Sequence, residues 1–219
     1  MIKILVVDDH ELVRTGITRM LADVAGLDVI GEAGSGEEAV RLARELEPDV
    51  VLMDVKMPGI GGLEATRKML RHDDGLRVIA VTVCEEEPFP SRLLKAGAAG
   101  YLSKGADIDE MVRAVKVVHA GQRYISPQIA QAMALRPFNG SDASPMDLLS
   151  ERELQIMMMI VNCHKVQEIS DKLCLSPKTV NTYRYRIFDK LGISSDVEMT
   201  LLAMRWGMVD DNAGQEAVG

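Results

Sequence analysis

Apolar and polar positions in this chain follow two different rhythms. Over residues 1–122, short apolar runs alternate with helix-length amphipathic segments. The runs predict strands at 3–7, 27–32, 49–53, 77–82 and 100–103. Most of them are almost continuously apolar, as expected of strands covered by helices on both faces. The segments between them carry helix-start signals. Ser35-Gly36-Glu37-Glu38 and Asp107-Ile108-Asp109-Glu110 each place a capping oxygen three residues ahead of a Glu. Strand–helix alternation with right-handed crossovers predicts an α/β fold, a doubly wound, five-stranded parallel sheet.

Past residue 122 the pattern changes. Pro127 after Ser126 predicts the start of a short helix over 127–135. The stretch from Arg136 to Pro145 is rich in turn formers and has no periodicity, so 136–146 reads as the mobile part of a linker spanning 123–146. Residues 147–209 are helical throughout and predict an all-α, four-helix domain. Ser150-Glu151-Arg152-Glu153 is a capping box opening 151–162, and a second helix spans 166–173. Cys174-Leu175-Ser176 makes a tight turn. Ser176 caps a third helix, 177–191, with Pro177 at its first position and Gly192 after its end. Ser195 caps a fourth, 196–206. Two helices joined by a short turn, the second bearing cations, predict a helix-turn-helix. Residues 210–219 form an acidic tail.

Composition narrows the class. With 219 residues, 47% hydrophobic and 26% charged, the chain has an ordinary soluble makeup and room for one or two domains. No apolar run approaches the roughly 20 residues that span a bilayer. Met1-Ile2-Lys3-Ile4 leads straight into a strand, with no signal-peptide layout. A cytoplasmic protein with no membrane partner is expected. Cys84, Cys163 and Cys174 are too irregularly spaced for zinc and are expected to be buried thiols in a reducing compartment. The net charge of −8 argues at first against nucleic acid. Its distribution matters more: residues 1–122 hold 15 Lys and Arg against 21 Asp and Glu, whereas residues 147–209 hold 8 of each.

The chemistry gathers at strand ends. The first strand runs into Asp8-Asp9, the third into Asp54, the fourth into Thr82 and the fifth into Lys104. In an open parallel sheet these ends form one rim, where ligands bind. Three acids, a hydroxyl and a lysine should therefore converge, a set that suits a divalent metal and a phosphorylated carboxylate. Mg²⁺ takes about six hard oxygens, usually one or two from carboxylates. Asp9 is expected as a direct ligand, Asp8 as an outer one, with Asp54 and the Lys56 carbonyl completing the protein's share. Asp54 can act as nucleophile, Thr82 can donate to a phosphoryl oxygen, and Lys104 can neutralise transferring charge. His10 reads as a loop histidine near the pocket, Glu85-Glu86-Glu87 as a solvated run, and Pro88-Phe89-Pro90 as shaping the loop after strand four.

Val6-Val7-Asp8-Asp9-His10, Leu52-Met53-Asp54-Val55-Lys56-Met57-Pro58-Gly59, Thr82 and the stretch Gly97 to Lys104 resemble the receiver domain of two-component systems. Leu149-Ser150-Glu151-Arg152-Glu153, Thr179-Val180-Asn181-Thr182-Tyr183 and Lys190-Leu191-Gly192 resemble a LuxR-type helix-turn-helix. Together they resemble the NarL/FixJ class of response regulators over nearly the whole chain. Val83-Cys84-Glu85-Glu86 and the stretch Asn162 to Gln167 are similar to its GacA/UvrY group of global regulators. The resemblance implies a transcription regulator, not an enzyme. It implies that Asp54 takes phosphate from a sensor histidine kinase of the hybrid GacS/BarA type, that Asp8 and Asp9 hold Mg²⁺, and that Thr82, Tyr101 and Lys104 read the phosphorylated state. Many receivers place Pro after the lysine; here Gly105 follows.

On the third helix of the second half, Val180, Tyr183 or Arg184, Ile187 and Leu191 recur at helical spacing and should pack inward. Lys178 and Asn181 suit guanine and adenine edges, and Thr182 or Tyr185 could touch a thymine methyl. Thr179, Arg184 and Lys190 are better placed for phosphates. A domain with so few cations should bind double-stranded promoter DNA as a homodimer once phosphorylated, with Val197, Leu201 and Leu202 as the candidate dimer surface. Two rival readings stand beside this one: a receiver whose helical half binds protein, and a stand-alone aspartyl-phosphate phosphotransferase. The second needs an acid two residues past the nucleophile, where this chain has Lys56.

Overall fold

The computed structural model of this chain describes residues 1–57, 59–83, 89–135, 145–206 and 208. The chain divides into two compact units, Met1–Ser141 and Asp142–Gly219.

The first unit is a parallel sheet flanked by helices. Its strands are β1 (Ile2–Val7), β2 (Leu27–Ala33), β3 (Val50–Met53), β4 (Arg77–Thr82), β5 (Gly100–Ser103) and β6 (Tyr124–Ile125), in the order β2-β1-β3-β4-β5-β6. Its helices are α1 (Glu11–Ala22), α2 (Gly36–Leu46), α3 (Gly61–His72), α4 (Phe89–Lys95), α5 (Ile108–His119) and α6 (Pro127–Leu135). Strand side chains divide between the two faces by simple alternation. Ile4, Val6, Leu52, Ile79, Val81 and Leu102 pack with residues of α1 and α5. Leu5, Val7, Val51, Met53 and Val78 pack on the other face with residues of α2 and α3. Ser35 and Asp107 cap α2 and α5 by accepting the N–H of Glu38 and Glu110. The strand order reverses between β1 and β3, which opens a crevice at their carboxyl ends.

Two local expectations are corrected. The sheet has six strands, not five: β6 lies within the stretch read as linker. Tyr124 N–H donates to the Ala99 carbonyl at 3.1 Å and Ser126 N–H to that of Tyr101 at 3.0 Å. A two-residue strand has no alternation to betray it; it forms because β5 offers an open edge. Phe89 and Pro90 begin α4 rather than shaping a loop. Proline is harmless in a first turn, where its missing N–H has no intrahelical partner. The acidic run at 85–87, Pro88, Cys84, residues 136–144 of the expected linker and the acidic tail lie outside the described residues.

The second unit holds a 3-10 turn (Pro145–Leu148), α7 (Glu151–Val161), α8 (Val166–Leu173), α9 (Pro177–Leu191) and α10 (Asp196–Arg205). Ser150 and Glu153 form the reciprocal capping box expected of them. Leu154, Met157, Ile169, Val180, Ile187 and Met199 are among its buried side chains. Cys163 and Cys174 are exposed, against expectation. Both sit in helix-end turns with left-handed φ of 61° and 52°, where backbone geometry rather than burial decides the position. Among the described residues, no helix is long and apolar enough to cross a membrane.

Candidate functional site

Strand register assembles the pocket. Val7 lies opposite Met53, so β1 and β3 end level and release Asp8 and Asp54 side by side. Asp54 N–H donates to the Val7 carbonyl at 2.8 Å. Thr82 lies opposite Ser103 at the ends of β4 and β5, and Lys104 N–H donates to the Thr82 carbonyl at 3.0 Å. From there the Lys104 side chain reaches Asp54. Its Nζ lies 2.7 Å from Asp54 Oδ2 and 2.7 Å from Asp8 Oδ2. Both carboxylates are only 2% exposed, and Lys104 is 16% exposed. Thr82 and Tyr101 are fully buried.

One ammonium is thus shared by two buried acids, and protonation follows from that. Burial pushes the Asp54 carboxyl up to about 6; the hydrogen bond and charge of Lys104 pull against this, and the charge of Asp8 adds to it. Burial pulls the Lys104 ammonium down, but hydrogen bonds and charges from Asp54 and Asp8 outweigh that and hold it above its ordinary value.

The acids differ in how far they are satisfied. Asp54 Oδ1 accepts the Lys56 N–H at 3.1 Å. Asp8 Oδ1 accepts the His10 N–H at 2.9 Å, and the Asp8 carbonyl accepts from Arg14 Nη1 at 2.6 Å. Asp9 Oδ1 is buried and accepts no hydrogen bond, although His10 Nδ1 lies 3.0 Å away. Ligand atoms of Asp8, Asp9, His10 and Asp54 all fall within 4.8 Å of one another. A hard divalent cation fits this donor set: clustered carboxylate oxygens, one of them buried and accepting no hydrogen bond.

The floor of the pocket depends on a glycine. A Cβ at Gly62 would lie 2.0 Å from the Asp54 carbonyl oxygen and 2.8 Å from Val55 Cα. Only a residue without a side chain lets α3 begin so close to the loop that carries Asp54.

In the second unit, Cys174 turns the chain between α8 and α9, and Ser170 Oγ closes the turn by donating to the Leu175 carbonyl at 2.5 Å. Val180, Ile187 and Phe188 of α9 are buried. Lys178, Thr182, Tyr185 and Arg186 are exposed; Thr179 and Asn181 are half-buried. Thr182 Oγ1 donates to the Lys178 carbonyl at 2.9 Å, and Thr179 Oγ1 pairs with Ser176 Oγ at 2.7 Å. The other two expected phosphate contacts also have partners inside the unit. Arg184 donates from Nε and Nη2 to the two carboxylate oxygens of Asp196, and its guanidinium lies 5.6 Å from the Phe188 ring centroid. Lys190 Nζ donates to Glu153 Oε2 at 2.6 Å, tying α9 to the α7 capping box. On α10, Val197 and Leu201 are exposed and Leu202 is half-buried.

Residues 4–116 match the response regulator receiver domain family, and residues 147–203 match the luxR family of bacterial regulatory proteins. The chain belongs to the response regulators. It is 73% identical over 214 residues to response regulator GacA of Pseudomonas syringae pv. syringae, covering 97% of this chain and 100% of that one. It is 57% identical over 209 residues to response regulator UvrY of Escherichia coli, covering 95% and 96%. Its fold is shared with RcsB of Salmonella enterica serovar Typhimurium, in a structure bound to promoter rprA in the presence of phosphomimetic BeF3⁻. There the TM-score is 0.71 and the identity 22%, over 95% of this chain and 100% of that one.

Three residues of this response regulator escaped the sequence reading. Gly62 carries a weak signal, the glycines clustered at 59, 61 and 62. Arg14 carries none, because its partners Asp8 and Glu32 lie far apart in sequence, one just past the end of β1 and the other on β2. Phe188 is buried one turn past Arg184, off the apolar stripe that Val180, Ile187 and Leu191 suggested.

Proposed function

We propose that this chain is a phosphorylation-activated transcription regulator whose switch is Asp54. The reading rests on the clamp around that residue, a buried carboxylate fixed by Lys104 Nζ and the Lys56 N–H beside two further acids. The phosphoryl donor is a sensor histidine kinase, of the hybrid GacS/BarA-like type. As the N–P bond of its phosphohistidine breaks, an Asp54 oxygen forms the O–P bond and the electron pair returns to the imidazole. When bound, Mg²⁺ neutralises charge on the transferring group. Asp9 would hold it directly and Asp8 through water, with Asp54 and the Lys56 carbonyl. Asp9 Oδ1 accepts no hydrogen bond, while the two oxygens of Asp8 are held by the His10 N–H and by Lys104 Nζ, which supports that division.

Phosphorylation adds roughly one unit of negative charge and new acceptor oxygens. Lys104 exchanges part of its contact with Asp54 for the phosphoryl group, Thr82 donates its hydroxyl to it, and Tyr101 senses the rearranged end of β5. The population shifts toward a form in which the second unit dimerises through Val197, Leu201 and Leu202. The dimer reads two half-sites of promoter DNA. Lys178, Asn181, Thr182 and Tyr185 face base edges. Thr179 and the exposed Arg186 serve phosphates, joined by Arg184 and Lys190 only where they exchange their present partners.

Retardation of duplex promoter DNA tests this reading. With a small-molecule phosphodonor and Mg²⁺, wild-type affinity rises and falls steeply with salt, while Asp54→Asn shows no response to donor. Equal affinity with and without donor would count against it.

A further inference from the structure

We infer that Arg14 is a positioning residue for the metal-binding carboxylate of Asp9, with Glu32 as the anchor that orients it. This rests on the reading of Asp9 as the direct Mg²⁺ ligand and adds to it the group that aims the ligand. Arg14 stands one turn into α1, and helix side chains lean back toward the helix start. Its guanidinium therefore reaches over the turn that carries Asp8, Asp9 and His10. Nη1 donates to the Asp8 carbonyl at 2.6 Å, and Nε donates to Glu32 Oε2 at 3.1 Å. Glu32 lies on β2 opposite Val6 of β1, so one rigid plane of donors ties the end of β1 to the neighbouring strand.

The two adjacent acids are held in different ways. Asp8 is fixed through its own side chain: Oδ1 accepts the His10 N–H at 2.9 Å, and Oδ2 lies 2.7 Å from Lys104 Nζ. Asp9 Oδ1 is buried yet accepts no hydrogen bond, and the His10 ring beside it is 62% exposed and gives no fixed anchor. The backbone must therefore aim Asp9. The Asp8–Asp9 peptide is planar, so fixing its carbonyl fixes the plane from which Asp9 departs. The peptide before Asp8 is held by the sheet, where the Asp8 N–H donates to the Ala33 carbonyl at 3.1 Å. The peptide after it is held by Arg14; among the described residues no other group donates to the Asp8 carbonyl.

Charge and positioning act with opposite signs here. A cation beside the acids repels a metal ion, so losing Arg14 for its charge alone would tighten metal binding. Losing the support of Asp9 weakens it. The ion pair with Glu32 is partly exposed and adds little to stability, so its part is to orient the guanidinium. A guanidinium offers Nε and Nη1 at a fixed angle; a lysine ammonium keeps the charge but cannot span both partners in that geometry.

Titration calorimetry with Mg²⁺ on the full-length protein tests this. Arg14→Met should weaken Mg²⁺ about tenfold, and Arg14→Lys should weaken it as well. Glu32→Ala should weaken it by less, and Glu32→Gln, which keeps an oxygen for Nε, should restore wild-type binding. In labelling of Asp54 by a small phosphodonor, the Mg²⁺ concentration for half-maximal rate should rise in step, while the rate at saturating Mg²⁺ stays within about twofold. An Arg14 that only braces the fold would lower thermal stability and leave the Mg²⁺ constant where it was. That result, or tighter Mg²⁺ binding in Arg14→Met, overturns the role of Arg14 and leaves the acidic site standing. Should Arg14→Met fail to fold, Arg14→Lys and Glu32→Ala decide by the same measure. Mg²⁺ binding that Asp9→Asn leaves unchanged overturns the metal reading beneath it.

Discussion

The pocket around Asp54 and the exposed face of α9 carry function in opposite ways. Pocket groups arrive from four strand ends, lie in burial and share partners: Lys104 touches both Asp8 and Asp54. The groups on α9 come from two turns of one helix and stand at the surface, and Lys178, Asn181 and Tyr185 make no ion pair among the described residues. No pocket residue can be changed without altering its neighbours, whereas a residue on α9 can be changed almost alone. Additivity should therefore fail in one region and hold in the other.

Lys104→Met should give the largest effect. Phosphotransfer to Asp54 from a small donor should slow by on the order of 100-fold. Two buried carboxylates left without their cation should also lower metal-free stability by about 3 kcal/mol in denaturant titration. A smaller loss would mean that the two acids are not truly buried together. Gly62→Ala comes next. Its methyl must displace the Asp54 carbonyl, so receiver stability should drop by roughly 1–3 kcal/mol while DNA binding by the second unit is unchanged.

Lys178→Ala and Asn181→Ala should each relax base preference by roughly 1–3 kcal/mol in competition binding, additively, with Asp54 labelling untouched. Coupling between them as strong as that in the pocket would break the contrast. Smaller still is the Arg184–Asp196 pair, which is about a third exposed on each side. A double-mutant cycle on stability should give about 0.5 kcal/mol.

The two units should also respond oppositely to acid. In the metal-free protein, Asp54 titrates near 6 when folded against an ordinary 3.8. Between about pH 4 and 6 the folded receiver holds a proton that the unfolded chain has released, so its stability falls as pH rises. Burial pushes Glu153 up, but Lys190 and Ser150 outweigh that and hold it below its ordinary 4.5. Its contribution is complete above that value and fades as pH falls. Calorimetry in chelator should show the receiver transition moving down as pH rises from about 4 to 6, and the helical transition moving down as pH falls below 4.5.

Features written in consecutive residues were legible. The apolar runs located β1 to β5, and Ser35, Asp107, Ser150, Ser176 and Ser195 marked helix starts that the structure caps as expected. Strand ends on acids and a lysine pointed to one rim because a parallel sheet has only one carboxyl edge. What stayed hidden was decided between distant elements. β6 depends on the free edge of β5. The ion pairs of Arg184 with Asp196 and of Lys190 with Glu153 have no periodic signature, so both cations looked available from sequence. The inward turn of His10 toward Asp9 is likewise invisible in a run of three polar residues.

The most direct test of the pocket is to locate the phosphoryl group itself. The protein would be treated with phosphodonor and Mg²⁺, the acyl phosphate trapped by borohydride, and the peptides mapped by mass spectrometry. The account predicts a single modified residue, Asp54, and no modification in Asp54→Asn. Trapping at Asp8 or Asp9 in the wild-type protein, or undiminished labelling of Asp54→Asn, would contradict it.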